Sequence, residues 1–184
     1  MRKIIVFLTV LFLLGACAKQ SELTIYNDTG HSVKVIFNGT IHHLLSNDPP
    51  AVEIFYLNSF ILFGETINVP IIIERQIYLE PKNFTIEMKP NKDKSYHVEF
   101  DRAGLQINNV SIYPIGIIQL RKDGDEEWSE NVIEEILYSE TLGQVFSITP
   151  DYDFIKITDT FENEYQEELI ELNAGETTTY IFTG

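Results

Sequence analysis

The chain has 184 residues, with 13 Lys or Arg against 28 Asp or Glu and a formal net charge of −15. That balance argues against nucleic acid as a partner, because phosphate binding is built from Lys and Arg, and against electrostatic docking on anionic lipid. The single cysteine, Cys17, leaves no disulfide to form, so the fold must be stabilised by burial of side chains such as its 12 Phe and 9 Tyr.

The N-terminus reads MRKIIVFLTVLFLLGAC. Arg2 and Lys3 form a positive n-region, residues 4–14 an apolar run broken only by Thr9, and Gly15 and Ala16 precede Cys17. This is the layout of a secretory signal, and the run is shorter than the roughly 20 residues that span a bilayer core. Leu14-Gly15-Ala16-Cys17 resembles the lipobox of bacterial lipoprotein signal peptides. The resemblance implies that residues 1–16 are a cleaved signal peptide. It implies a diacylglyceryl group on the Cys17 thiol and a further acyl chain, such as palmitate, on the new amine. The membrane partner is then reached through acyl chains on Cys17, several of which hold a protein far better than one. The implied location is the bacterial cell envelope, and Ala18 in place of an aspartate favours the outer membrane over the inner. Residues 17–21 are then expected as a lipidated tether, and loss of Arg2 and Lys3 takes the net charge from −15 to −17.

Beyond the tether, most segments are short, rich in Ile, Val, Phe, Tyr and Thr, and punctuated by turn residues, which predicts strands. Residues 23–37 (LTIYNDTGHSVKVIF) are predicted as a hairpin with Asn27 to Gly30 at its tip. Alternation of Val33, Val35 and Phe37 with Ser32 and Lys34 predicts one buried face. Pro70 inside an apolar strand implies an edge or a bulge, and turns are expected at residues 81–83 and 91–93. Residues 105–124 repeat the theme of 23–39, and residues 146–182 parallel 66–100, with turns at 161–163 and 173–176. The predicted fold class is therefore all-β: tandem small antiparallel, immunoglobulin-like β-sandwich units over 22–102 and 105–184, joined near 101–104. The one helical signal is residues 129–140 (SENVIEEILYSE), with Val132, Ile133, Ile136 and Leu137 at helical spacing, Ser129 as cap and Glu130 in the first turn. Four N-x-S/T sequons, at Asn27, Asn38, Asn83 and Asn109, read as turn chemistry once the lipobox implies a bacterium.

The second half also resembles small β-sandwich units of spirochaete-type envelope lipoproteins. The matching residues are Asn108-Asn109, Glu127-Trp128, the run from Tyr152 to Lys156, and Asp159 with Tyr165. No catalytic residues come with that resemblance.

Acidic residues are unevenly spread. Residues 106–184 hold 17 Asp or Glu against three Lys or Arg, a net −14, whereas residues 18–105 carry −3. A solvated acidic face that keeps an exported unit soluble is the expected role; the spacing does not match a calcium-binding D-x-[DN]-x-[DN]-G loop. Trp128 stands in the loop KDGDEEWSE, either plugging the end of a sandwich or, with Asp123, Asp125, Glu126 and Glu127, contacting a partner. His42 and His43, being neighbours, point to opposite faces of a strand, and no metal, phosphate or nucleophile motif is present. No catalytic residue, metal or other cofactor is expected. The expectation is a lipid-anchored envelope lipoprotein with a non-catalytic binding or structural role and an envelope protein as partner. The alternative is an envelope hydrolase or carbohydrate-active protein, which a cleft joining carboxylates to His42, His43 or His97 would favour.

Overall fold

Val33, Val35 and Phe37 are fully buried and alternate with half-buried Lys34 and Ile36, the two-residue rhythm of a strand with one face on a core. The same rhythm runs through Ile67–Ile73 and Phe154–Asp159. A computed structural model describes residues 17–45, 48–59, 65–169 and 171–184, and of Cys17, Asn58 and Ser59 the backbone alone. The expected signal peptide, residues 1–16, lies outside the described residues. Those described form an all-β, β-sandwich-type fold without a helix.

The chain divides into two compact units, one over Met1–Glu74 and Pro81–Glu99, the other over Arg75–Glu80 and Phe100–Gly184. The first contains β1 (Cys17–Asn27), β2 (Val33–Phe37), β3 (Thr40–Leu44), β4 (Ala51–Ser59), β5 (Ile67–Ile73), β6 (Lys82–Met88) and β7 (Lys94–Val98). They form two sheets, ordered β4-β1-β7 and β3-β2-β5-β6. The second contains β8 (Ala103–Asn109), β9 (Ile115–Arg121), β10 (Thr141–Ile148), β11 (Phe154–Asp159), β12 (Glu164–Glu168) and β13 (Thr177–Phe182), in sheets β10-β8-β13 and β12-β11-β9. Both sheets of this unit feed one core, with Leu105, Ile107 and Phe182 from one and Ile118, Leu120 and Ile157 from the other.

The two units share one pairing scheme. β1 runs antiparallel to β4 and parallel to β7, and β8 runs antiparallel to β10 and parallel to β13. β5 lies between β2 and β6, as β11 lies between β9 and β12. The expected antiparallel sandwich pairing is present, and each unit adds one parallel pair to it. The connectivity differs from that of immunoglobulin domains, whose first strand sits at a sheet edge; here it is central. The predicted hairpin over 23–37 is also corrected. β1 and β2 lie in different sheets, so the turn between them is a crossover. The hairpin turn is at Asn38 and Gly39, both at positive φ (50° and 77°) between paired Phe37 and Thr40, which suits Asn-Gly. Asn83, expected in a turn, lies in β6 opposite Ile72. Pro70 lies one residue outside the β2 pairing of β5, which covers only Ile71–Ile73. It therefore occupies a local edge, where a missing N–H costs little.

Residues 17–21 are not a free tether: they open β1, with Lys19 opposite Leu57 and Ser21 opposite Phe55. Ser21 is fully buried, its hydroxyl donating to the Lys89 carbonyl at 2.6 Å. The predicted helix over 129–140 does not form either. Ser129 N–H donates to Leu120 O (2.8 Å), Val132 N–H to Ile118 O (2.8 Å), and Ile115 and Leu137 exchange both backbone bonds. Between these points side chains complete the pairing: Ser129 Oγ accepts from Leu120 N–H and Asn131 Oδ1 from Ile118 N–H. The segment therefore runs along the free side of β9, as β3 runs along β2. A helix of about three turns is marginal alone, and β9 offered it an unpaired edge.

A closely similar set of bonds closes the first crossover of each unit. Asn27 Nδ2 donates to His31 O and Leu44 O, while its Oδ1 accepts from Thr29 N–H and Thr29 Oγ1. Asn109 Nδ2 donates to the carbonyls of Tyr113, Leu137 and Tyr138, while its Oδ1 accepts from Ser111 N–H and Ser111 Oγ. Two of the four sequons are thus clasps, the Ser or Thr two residues on being part of the bond set.

Residues 75–80, between β5 and β6, belong to the second unit. Leu79 is fully buried, the Tyr78 hydroxyl is 2.6 Å from Thr177 Oγ1, and Tyr78 O accepts from the N–H groups of Asp101 and Arg102.

Three substitutions, each followed by urea titration, test these constraints. Asn109 is fully buried, so Asn109→Ala, which strips three carbonyls and Ser111 of their partner, is expected to cost about 3 kcal/mol. Asn27→Ala, at a more exposed clasp, is expected to cost about 1 kcal/mol in the same urea titration. Leu79 is fully buried, so Leu79→Ala is expected to cost about 3 kcal/mol in a urea titration.

Candidate functional site

Of the 17 carboxylates in residues 106–184, only Asp159 is buried. The same stretch has three cations, Arg121, Lys122 and Lys156, and each stands over an aromatic ring. The pairing of β9 with β11 sets Arg121 opposite Phe154 and Gln119 opposite Lys156. Arg121 Cζ stands 4.7 Å from the Trp128 ring centroid and 5.1 Å from that of Phe154, and Lys156 Nζ lies 5.2 Å from Trp128. Lys122 Nζ lies 5.9 Å from the Tyr152 ring and pairs with Asp151. That hydrogen bond holds the Lys122 ammonium above its ordinary pKa and the Asp151 carboxyl below its own. Lys156 Nζ also sits 3.7 Å from Glu164.

Trp128 is accordingly half-buried on the outward face of the β9–β11 pair, held by two cations. It is not an open platform. Asp123, Asp125, Glu126 and Glu127 are all exposed beside it. Asp123 N–H donates to Asp153 Oδ2 at 2.7 Å, and Asp123, Asp153 and Glu168 edge a hollow of about 300 Å³ floored by Phe154 and Leu169. Asp153 and Glu168 come from β11 and β12 neighbourhoods distant in sequence, so the loop alone did not announce them. Among the described residues no group of three or more His, Cys, Asp or Glu is arranged to hold a metal ion.

The histidines are dispersed. His97 Nδ1 is 2.6 Å from Asp28 Oδ2 and its ring stacks on Tyr26 at 4.6 Å. This half-exposed pair reinforces the backbone bond from Asp28 N–H to Val98 O, which ties the first crossover to β7. His42 stacks on Phe37 at 4.3 Å, and His43 stands opposite Lys34 in the β2–β3 register.

Asp159 and Tyr165, matched residues of the lipoprotein resemblance, organise the β11–β12 turn. Asp159 Oδ1 accepts from the N–H groups of Phe161 and Asn163, and Oδ2 from Asn163 Nδ2 (2.8 Å) and the Tyr165 hydroxyl (3.4 Å). Burial pushes the Asp159 carboxyl upward, but these donors outweigh it and hold it below its ordinary value. On β13, burial and then the Glu167 acceptor at 2.5 Å push the Tyr180 hydroxyl far above the ordinary tyrosine range.

Cys17 is the first residue of β1, paired with Ser59 at the end of β4. A group attached there would join the first sandwich with no spacer residue between. Among the described residues no helix is long and apolar enough to cross a membrane.

No protein-family model and no curated protein matches the sequence. Among solved structures, the chain is similar to the Bacillus anthracis TIE protein, with a TM-score of 0.33 and 12% identity over 91% of this chain and 34% of that one. The chain thus spans about a third of the length of that protein.

Because the folded chain binds the Asp159 proton less readily than the unfolded chain does, Asp159 stabilises its unit above the ordinary value of 3.8, and this contribution is lost as pH falls below it. Asp159→Asn, which cannot ionise, is expected to lower the urea midpoint at neutral pH. Its deficit against the native chain should shrink between about pH 4 and pH 2; a deficit independent of pH would show that geometry, not charge, is what Asp159 supplies.

Proposed function

We propose that the protein is a lipid-anchored lipoprotein of the bacterial cell envelope with a non-catalytic binding or structural role. The observation that carries this reading is the lipobox Leu14-Gly15-Ala16-Cys17 behind a positive n-region and an apolar run. Ala18 supports the outer membrane as destination. The half-exposed Asp28–His97 pair gives an envelope hydrolase no enclosed site, so the binding role is preferred. The acidic second unit is its contact surface, suited to a cationic or neutral protein partner.

The test is Cys17→Ala in a bacterial host fed labelled palmitate. The native protein should carry the label and partition into detergent. The variant should lose the label and accumulate as a soluble or unprocessed form. A variant that stays labelled, processed and membrane-bound overturns the anchor.

A further inference from the structure

β10 is the outer strand of its sheet, and residues 133–137 run beside it, leaving a groove of about 350 Å³. Ile136, Leu142 and Phe146 give it apolar walls, and Glu134 and Glu135 stand at its lip. Ile136 and Leu142 are 48% and 60% exposed although both are aliphatic. The opening has a local cause. The register of β10 on β8 shifts between Leu142 and Val145, so Gly143 and Gln144 bulge out of the pairing. Gln106 Nε2 satisfies the freed Gly143 carbonyl at 2.9 Å. Gly143 is buried, and a Cβ there would meet both Leu137 methyl groups at 3.4 Å and the Ile107 carbonyl at 3.2 Å. The absence of a side chain keeps Leu137 seated and the groove clear. On the same face Ile181, 58% exposed, lies level with Leu142 two strands away, with Asn108 between them.

Charge decides what this surface accepts. The three cations of residues 106–184 are engaged at Trp128, Asp151 and Glu164, so none of them neutralises Glu134 or Glu135. A second copy would bring the same net −14 against it, and an anionic bilayer would be repelled likewise. Exposed aliphatic surface rimmed by one sign of charge fits a partner with aliphatic side chains and the opposite sign.

We propose that the groove between residues 133–137 and β10 is a docking site for an extended basic polypeptide segment. Its aliphatic side chains enter beside Ile136 and Leu142, and its Lys or Arg side chains meet Glu134 and Glu135. The inference rests on the reading of the protein as a binding module but not on the lipid on Cys17.

The experiment uses the full chain, expressed in a bacterium and purified in detergent, with a fluorescent acetylated peptide of alternating Lys and Val as probe. Glu134→Lys combined with Glu135→Lys is expected to weaken binding about tenfold, and so is Leu142→Asp. Glu87→Lys combined with Glu99→Lys, the same change in net charge on exposed residues of the first unit, should change it less than about twofold. Equal weakening by the two charge reversals would mean that the peptide reads net charge alone and would overturn the site, as would failure of the native chain to bind the peptide. All five positions except Leu142 are exposed glutamates, so the reversals decide the matter if Leu142→Asp unfolds. Lipid analysis of Cys17 on the same preparation keeps the two ideas apart. A lipidated chain that ignores the peptide loses the groove and keeps the anchor; an unlipidated chain that binds it does the reverse.

Discussion

Each sandwich depends on an asparagine at the end of its first strand. β1 and β8 are central in their sheets, paired on both sides, yet the chain must leave each of them and enter the opposite sheet within five residues. Backbone groups in so tight a crossover have no sheet partner, and leaving them unpaired inside a sandwich is costly. Asn27 and Asn109 solve this by standing in for backbone. A primary amide both donates and accepts, so one side chain can fasten the turn that follows it and the strand-like segment arriving from further along, at Leu44 or at Leu137 and Tyr138. Thr29 and Ser111 complete the arrangement because a hydroxyl two residues on can give a proton to the asparagine oxygen and still accept from the next N–H. The two units differ in sequence around these bonds and share the bonds themselves.

The alternation of apolar residues made the strands legible. Turns at Asn91, Glu162 and Gly175, all at positive φ, were legible from turn residues. Which strand neighbours which was not. Period two says which face is buried and is silent about the partner, so a crossover between sheets read as a hairpin. The segment after Trp128 misled for a related reason. Val132, Ile133, Ile136 and Leu137 have helical spacing, but Ile133 is buried and Leu137 half-buried while Ile136 is exposed. An irregular extended chain pinned by Ser129 and Asn131 gives that pattern too. Residues 75–80 were unreadable in another way: nothing in their composition says that a stretch between β5 and β6 belongs to the second unit, where Tyr78 meets Thr177, Asp101 and Arg102.

The candidate site shows the same division. The acidic asymmetry was visible in the sequence, as was the unusual position of Trp128. The role of Trp128 was not, since it depends on Arg121 and Lys156 arriving from two strands in register. Once those cations are on the ring, Trp128 is packed at a corner of the unit, with the loop's carboxylates exposed beside it.

The equivalent edge strands β4 and β10 sharpen that point. An exposed edge invites unwanted pairing, and folded chains blunt it with inward charge or with bulges. β4 carries half-buried Glu53, whose Oε2 has no hydrogen-bond partner among the described residues, while its pairing with β1 runs unbroken from Cys17 to Ile25. β10 carries the bulge instead. Both devices discourage edge pairing, but they leave different surfaces behind. A charge directed inward leaves the strand straight; a bulge moves backbone out of line and opens space beside it. The groove of the second unit follows from that choice, and Gly143 is the residue at which the choice was made.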